Sequence, residues 1–215
     1  MKRLQPTSFE DWVEFCFRGR PTSEFWFIDL EDDEVPWLGR DDVLSVDYFT
    51  RLHENGVEVL NAFSNEEIGA GLWALYSSAS ELCPAFHVVP RDDLHRAIRS
   101  VGIFVSQTLP VRLTPGSEDP PHDALYMFWD IVPIWPHRVG PFEAEDRAVC
   151  IDEMAACLEV EHPTARYHAL HGLGHFELTE SGRCTQVIDQ WLATSPLLDT
   201  KLRDYAVRAR RAYIQ

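Results

Sequence analysis

The densest group of side chains able to do chemistry is the run His168-Ala-Leu-His-Gly-Leu-Gly-His175. Imidazole is both a common metal ligand and an acid–base group near neutral pH. On a helix, at about 100° per residue, His168, His171 and His175 share one face, with Tyr167 and Leu178 beside them. His168 and His175 are about 10.5 Å apart along the axis, too far for both to hold one ion at about 2.1 Å each. A chelate is therefore confined to His168/His171 or His171/His175, with further ligands from another helix. Asp130 and the adjacent His122 and Asp123 are the candidates. Glu177 points to the other side, and neither H-E-x-x-H nor Glu-x-x-His occurs.

Other chemistries find less support. There is no G-x-S-x-G elbow, no P-loop and no cysteine beside a histidine in sequence, although a triad assembled from distant residues needs no local motif. Gly69-Ala-Gly71 falls a turn inside an expected helix, not in the strand-to-helix turn that a dinucleotide fingerprint requires. Glu31-Asp-Asp-Glu34 lacks the spacing, the central glycine and the terminal glutamate of a calcium loop, and reads as a solvated acidic run. His122-Asp123 resembles the paired residues of the metal-dependent HD phosphohydrolases. Two prolines directly precede this pair, and no upstream histidine is placed to complete that ligand set. The five cysteines (Cys16, Cys83, Cys150, Cys157, Cys184) form no C-x-x-C and read as reduced, structural thiols. No motif calls for a cofactor.

The elements that must position these residues are helical throughout. Ser8 caps a stripe of Phe9, Trp12, Val13, Cys16 and Phe17 that ends at Gly19. The aromatic stretch 24–30 is a strand or a helix packed on the core. A short helix covers Val46 to Glu54 and is closed by Asn55-Gly56. Ser64 and Glu67 form a capping box ahead of Ile68, Leu72, Leu75, Tyr76 and Ala79. Pro90 opens the helix of Leu94, Ile98, Val101 and Val105, which closes before Pro110. The proline-rich stretch 110–121 is the clearest loop.

Ala124 to Ile134 is apolar nearly all round and reads as a central buried helix that bends or ends at Pro133. Asp130 inside it needs a partner if ionised. Glu143 to Leu158 is amphipathic, with Cys150, Met154, Cys157 and Leu158 on its apolar side. Pro163 then opens the histidine helix. In that helix Ala165, Ala169, Leu170, Leu173 and Phe176 look inward and the three histidines outward. Gly172 and Gly174, unfavourable in a helix interior by about 1 kcal/mol each relative to Ala, imply a close neighbour or a bend. Val187, Ile188, Trp191 and Leu192, then Leu202, Tyr205, Ala206, Ala209 and Tyr213, define the last two helices.

Ala169, Leu170, Gly172, Leu173 and Gly174, in a helix that a second amphipathic helix follows, resemble the HEAT-like and armadillo-like α-helical repeats. The likeness runs from Pro163 to the C-terminus and only loosely before it. Helix starts near 122, 163 and 200 are spaced as in two-helix solenoid repeats. The expected architecture is all-α, an α-α superhelix of about eight or nine helices in a single domain over 1–215. Residues 1–60 form an acidic N-terminal helical region, and 64–215 form stacked helix pairs around the 110–121 loop.

Charge narrows the partners. The chain of 215 residues has a net charge of -16, and its 45% hydrophobic and 12% aromatic content is that of a globular protein. Residues 1–60 hold 14 acidic and 6 basic groups, whereas 200–215 hold five basic groups and one acidic. Nucleic-acid binding needs a basic footprint that this balance denies. No apolar run is long enough to span a bilayer and no leader-like segment opens the chain, so a cytoplasmic, non-membrane protein is expected. The resemblance implies a binding surface on exposed helix faces. Its partner is expected to be a protein with a basic surface, met by Tyr167, His168, His171, His175 and the acidic run Glu31, Asp32, Asp33, Glu34. An immunity or antitoxin protein, or a scaffold, would fit. The alternative is a metal-dependent hydrolase or metal-binding protein using His168, His171, His175, Asp130, His122 and Asp123.

Overall fold

The computed structural model describes residues 8–20, 27, 41–77, 85–115, 121–126, 128–131, 143–195 and 199–214. The acidic run Glu31–Glu34, the 24–30 stretch apart from Phe27, and Pro133 lie outside the described residues, as does the side chain of Asp130. Among the described residues every regular element is helical and no strand occurs.

Helix α1 (Phe9–Phe17) starts where Ser8 Oγ accepts the Asp11 N–H, and it buries all five residues of its expected stripe. Gly19 follows with φ +61°, in the left-handed region that glycine enters without a Cβ clash. Helix α2 (Asp42–Glu54) begins earlier than its apolar pattern, because Asp41 accepts the Leu44 N–H and so nucleates a polar first turn. A single turn, α3 (Gly56–Val59), and a 3₁₀ turn (Leu60–Ala62) connect it to α4 (Asn65–Tyr76). In α4 the Ser64/Glu67 capping box forms as expected. Gly71 explains its own presence. A Cβ there would run into the Phe17 ring and lie 2.8 Å from Cys16 O, so the glycine lets α1 lie close.

Helix α5 (Arg91–Ile103) does not end before Pro110. It passes through a π turn (Phe104–Thr108) into α6 (Leu109–Arg112). The Leu109 N–H reaches back five residues to Phe104 O. Pro110 thus sits in the first turn of a new α segment, where its missing N–H breaks no ladder, and the wider turn ahead of it relieves its ring. In place of one central helix from Ala124, the described residues form two short helices, α7 (Pro121–Tyr126), which begins three residues earlier at the proline, and α8 (Phe128–Ile131); they bury Ala124, Leu125, Phe128 and Trp129.

Helices α9 (Ala144–Leu158), α10 (Pro163–Phe176), α11 (Arg183–Thr194) and α12 (Thr200–Ala209) complete the chain. The single-turn pieces make more segments than the eight or nine expected. Tyr213 lies beyond α12 and is exposed, not part of that helix's apolar face. The described cysteines, Cys16, Cys150, Cys157 and Cys184, are free and buried.

Buried side chains from α1 through α12 join one contiguous core. Within it α2 packs on α5, α5 on α9, and α4 on α7. Helix α10 is the hub, touching α7, α8, α9, α11 and α12. Its apolar face is fully buried as expected, but so is most of the opposite side. The two glycines admit side chains of neighbours: a Cβ on Gly172 would strike Met154 Sδ and the Trp129 ring, and one on Gly174 would lie 2.8 Å from Ile214. No helix among the described residues is long and apolar enough to cross a membrane.

Candidate functional site

The histidines of α10 do not line a surface. His168 is 0% and His171 1% exposed; His175 and Tyr167 are half-buried. The outward reading fails because α7, α8 and α12 cover the second face of α10, and a helix enclosed on both sides must satisfy its polar groups internally.

His168 does this completely. Its Nδ1–H donates to Leu125 O at 2.6 Å, which leaves Nε2 to accept the Trp129 indole N–H at 3.0 Å. Both nitrogens are used and the tautomer is fixed. Burial pushes its pKa down to about 4 against the opposing effect of the Leu125 bond, so the ring is neutral near pH 7.

His171 and His175 belong to a different arrangement. Tyr126 on α7 and Tyr205 on α12 bring their hydroxyls to 2.5 Å. Tyr205 also bonds His171 Nδ1 at 2.8 Å, and His171 Nε2 faces His175 Nε2 at 3.1 Å. A chain of four polar side chains thus crosses three helices. The Tyr126 ring lies 4.2 Å from the His171 ring, and the edge-to-face Tyr167–Tyr205 pair is 5.2 Å apart. Burial, then the like charges that His175 and His168 would carry, push His171 down to about 3.

The remaining candidate ligands are placed elsewhere. Asp123 is exposed, and His122, within α7, bonds Thr164 Oγ1 through Nδ1. Among the described residues no three His, Cys, Asp or Glu side chains are grouped to hold a metal ion. The described members of the six-residue ligand set do not come together: His168 is tied to Trp129 and Leu125, while His122 is tied to Thr164.

Two polar centres escaped the sequence reading. His53 on α2 donates through Nδ1 to Phe49 O at 2.7 Å, and its Nε2 accepts the Tyr76 hydroxyl of α4 at 2.8 Å. Burial holds its pKa down at about 4. Asp146, 1% exposed at its side chain, accepts from His95 Nε2 at 2.7 Å and from the Glu143 N–H at 2.8 Å, with Arg91 Nε 3.3 Å away. The Glu143-x-x-Asp146 spacing is a box-like start signal, and it could have announced this aspartate. His53 gave no signal beyond a histidine inside an amphipathic pattern.

One cleft is distinctly acidic. Asp41, Asp47 and Thr50 of the α2 region and Asp93 and Arg96 of α5 line a concavity of about 350 Å³, with Val43, Leu44 and Val46. Arg96 is already paired with Glu54 at 2.7 Å and faces Asp47 at 3.8 Å. Val43 stands exposed at the rim.

No known protein family matches the chain, and neither curated proteins nor solved structures provide a match.

Proposed function

We propose that the chain is a non-enzymatic protein-binding module, a stack of helix pairs that presents an acidic face to a basic partner protein. An immunity or antitoxin role toward a basic toxin is one form of this reading. The observation that carries it is the α2/α5 cleft, where Asp41, Asp47 and Asp93 surround apolar Val43 and Leu44 while Arg96 is spent on Glu54 and Asp47. Such a surface suits a lysine or arginine whose aliphatic stem lies on the valine and leucine.

The test is fluorescence anisotropy of the full chain with labelled peptides that alternate Lys or Arg with Leu, across a salt series. Saturable binding that weakens with salt and is abolished by Asp47→Lys/Asp93→Lys, with the helical circular dichroism unchanged, is expected. Equal binding by that variant would sink the assignment of the cleft. Reversal of Glu31, Asp32, Asp33 and Glu34 in a second variant measures how far the acidic run shares the task.

A further inference from the structure

The protein-binding reading leaves the α10 histidine pair unused, and the pair carries an inference independent of that reading. We propose that His171 and His175 form a two-imidazole chelate for a divalent transition-metal ion of the zinc class, with water completing the coordination on the half-buried His175 side.

Three observations support this. The first is spacing. Histidines four apart on a helix lie one above the other on the same face, the arrangement that lets two imidazoles of one helix share an ion. The second is convergence. The two Nε2 atoms are 3.1 Å apart with rings inclined at 80°. Two ligand nitrogens about 2.0–2.1 Å from a tetrahedral ion are about 3.3 Å apart, so a separation a few tenths of an ångström wider admits the ion. The third is orientation. The other nitrogen of His171, Nδ1, is held by the Tyr205 hydroxyl, itself braced by Tyr126. A hydrogen bond on the far nitrogen is what fixes the tautomer and aim of a metal-ligating histidine.

With Nδ1–H donating to Tyr205, His171 Nε2 presents a lone pair toward His175. The hydrogen between the two Nε2 atoms then belongs to His175. The ion takes the place of that hydrogen, which leaves His175 Nε2 for solvent or for the ring's other nitrogen, so both Nε2 lone pairs face the ion. His168 takes no part, since both of its nitrogens are engaged. Imidazole pairs favour zinc, nickel and copper over magnesium or calcium.

The experiment is calorimetric titration of the full chain, stripped with chelator, with zinc chloride, alongside cobalt(II) absorption. A single saturable ion per chain is expected, raising the thermal midpoint because it binds only the folded state. His175→Ala removes one ligand from a half-buried position and is expected to weaken binding at least about tenfold; His175→Gln serves if the alanine variant folds poorly. Tyr205→Phe keeps the stoichiometry but weakens affinity about tenfold, as loss of an orienting partner does. His122→Ala binds as the parent does. Absence of a saturable event, or unchanged affinity in both His175 variants, would overturn the proposal.

Discussion

His53 and His171 look alike on first inspection. Each is a buried histidine inside a helix, and each bonds a tyrosine hydroxyl on another helix. They differ in how their hydrogen bonding ends. His53 spends one nitrogen on Phe49 O of its own helix and the other on Tyr76, so it is closed at both sides. His171 spends one nitrogen on Tyr205 and the other on a second histidine that is half-buried. The first arrangement locks α2 to α4 and has no capacity left over. The second joins α7, α10 and α12 and ends on a half-buried ring, which is why the proposed ion is placed there. His168, closed like His53, shows that burial in α10 alone does not create the difference.

The largest effects fall on the closed histidines. His168→Ala leaves the Trp129 N–H and Leu125 O buried without partners and opens a cavity, and is expected to destabilise by about 3–5 kcal/mol in urea denaturation. His53→Ala is expected to fall in the same range. A loss below about 1 kcal/mol in either would contradict the closed description.

Acid acts through His171, lowered to about 3, and through the same two closed rings. Each closed ring is held neutral in the fold with its pKa lowered from 6.5 to about 4, so below pH 6.5 the unfolded chain binds protons that the folded chain does not. Stability therefore falls as pH drops from about 6.5 toward 4, by about 3 kcal/mol for each closed histidine. Denaturation midpoints across that window should lose about one proton's worth of slope when either ring is replaced by glutamine. An unchanged slope would show that the ring is not kept neutral.

Gly71 and Gly172 make a matched pair for packing. Alanine improves helix propensity by about 1 kcal/mol but drives a methyl into Phe17 or into Met154 and Trp129. A net destabilisation of about 1–3 kcal/mol is expected for each, larger at Gly71, where the backbone oxygen of Cys16 cannot swing away. A stabilised variant by thermal melting would mean that the neighbours yield.

The two tyrosines probe both sides of the comparison at the smallest scale. Tyr76→Phe breaks one hydrogen bond yet strands His53 Nε2, and about 2 kcal/mol is expected. Tyr205→Phe breaks two; half-buried Tyr126 can re-pair with water, whereas His171 Nδ1 faces away from His175 and stays buried, so about 2 kcal/mol is expected there as well. A loss below about 0.5 kcal/mol in either variant would show that the stranded imidazole nitrogen finds water.

Much of this framework is visible in local spacing. The α1 stripe, the Ser64/Glu67 box, the inward face of α10 and the helical class all follow from caps and periodicity, which are properties of neighbours in sequence. What local spacing does not contain is the number of faces that a helix has covered. Histidine was read outward because polar groups on an amphipathic helix face water, whereas α10 is enclosed by α7, α8 and α12. Tyr205 was assigned correctly to the core, but the direction of its hydroxyl depends on α7 and α10, about 80 and 30 residues earlier in the chain. The continuation through Pro110 was missed for a related reason. A proline ends a regular α ladder, and the π turn that admits it is set by packing rather than by a recognisable motif.

The row Tyr126–Tyr205–His171–His175 has a further property that no single bond in it displays. Each hydroxyl and ring passes on a hydrogen as it receives one, so the row supports two senses of travel. In one, His171 gives to Tyr205, Tyr205 gives to Tyr126, and His175 gives to His171. In the other, every arrow is reversed and His175 receives. One ring cannot turn alone without setting two donors or two lone pairs against each other. The sense is thus one property shared by three helices, and the nitrogen of His175 that bears the hydrogen, distinguishable by its ¹⁵N shift, reads it out.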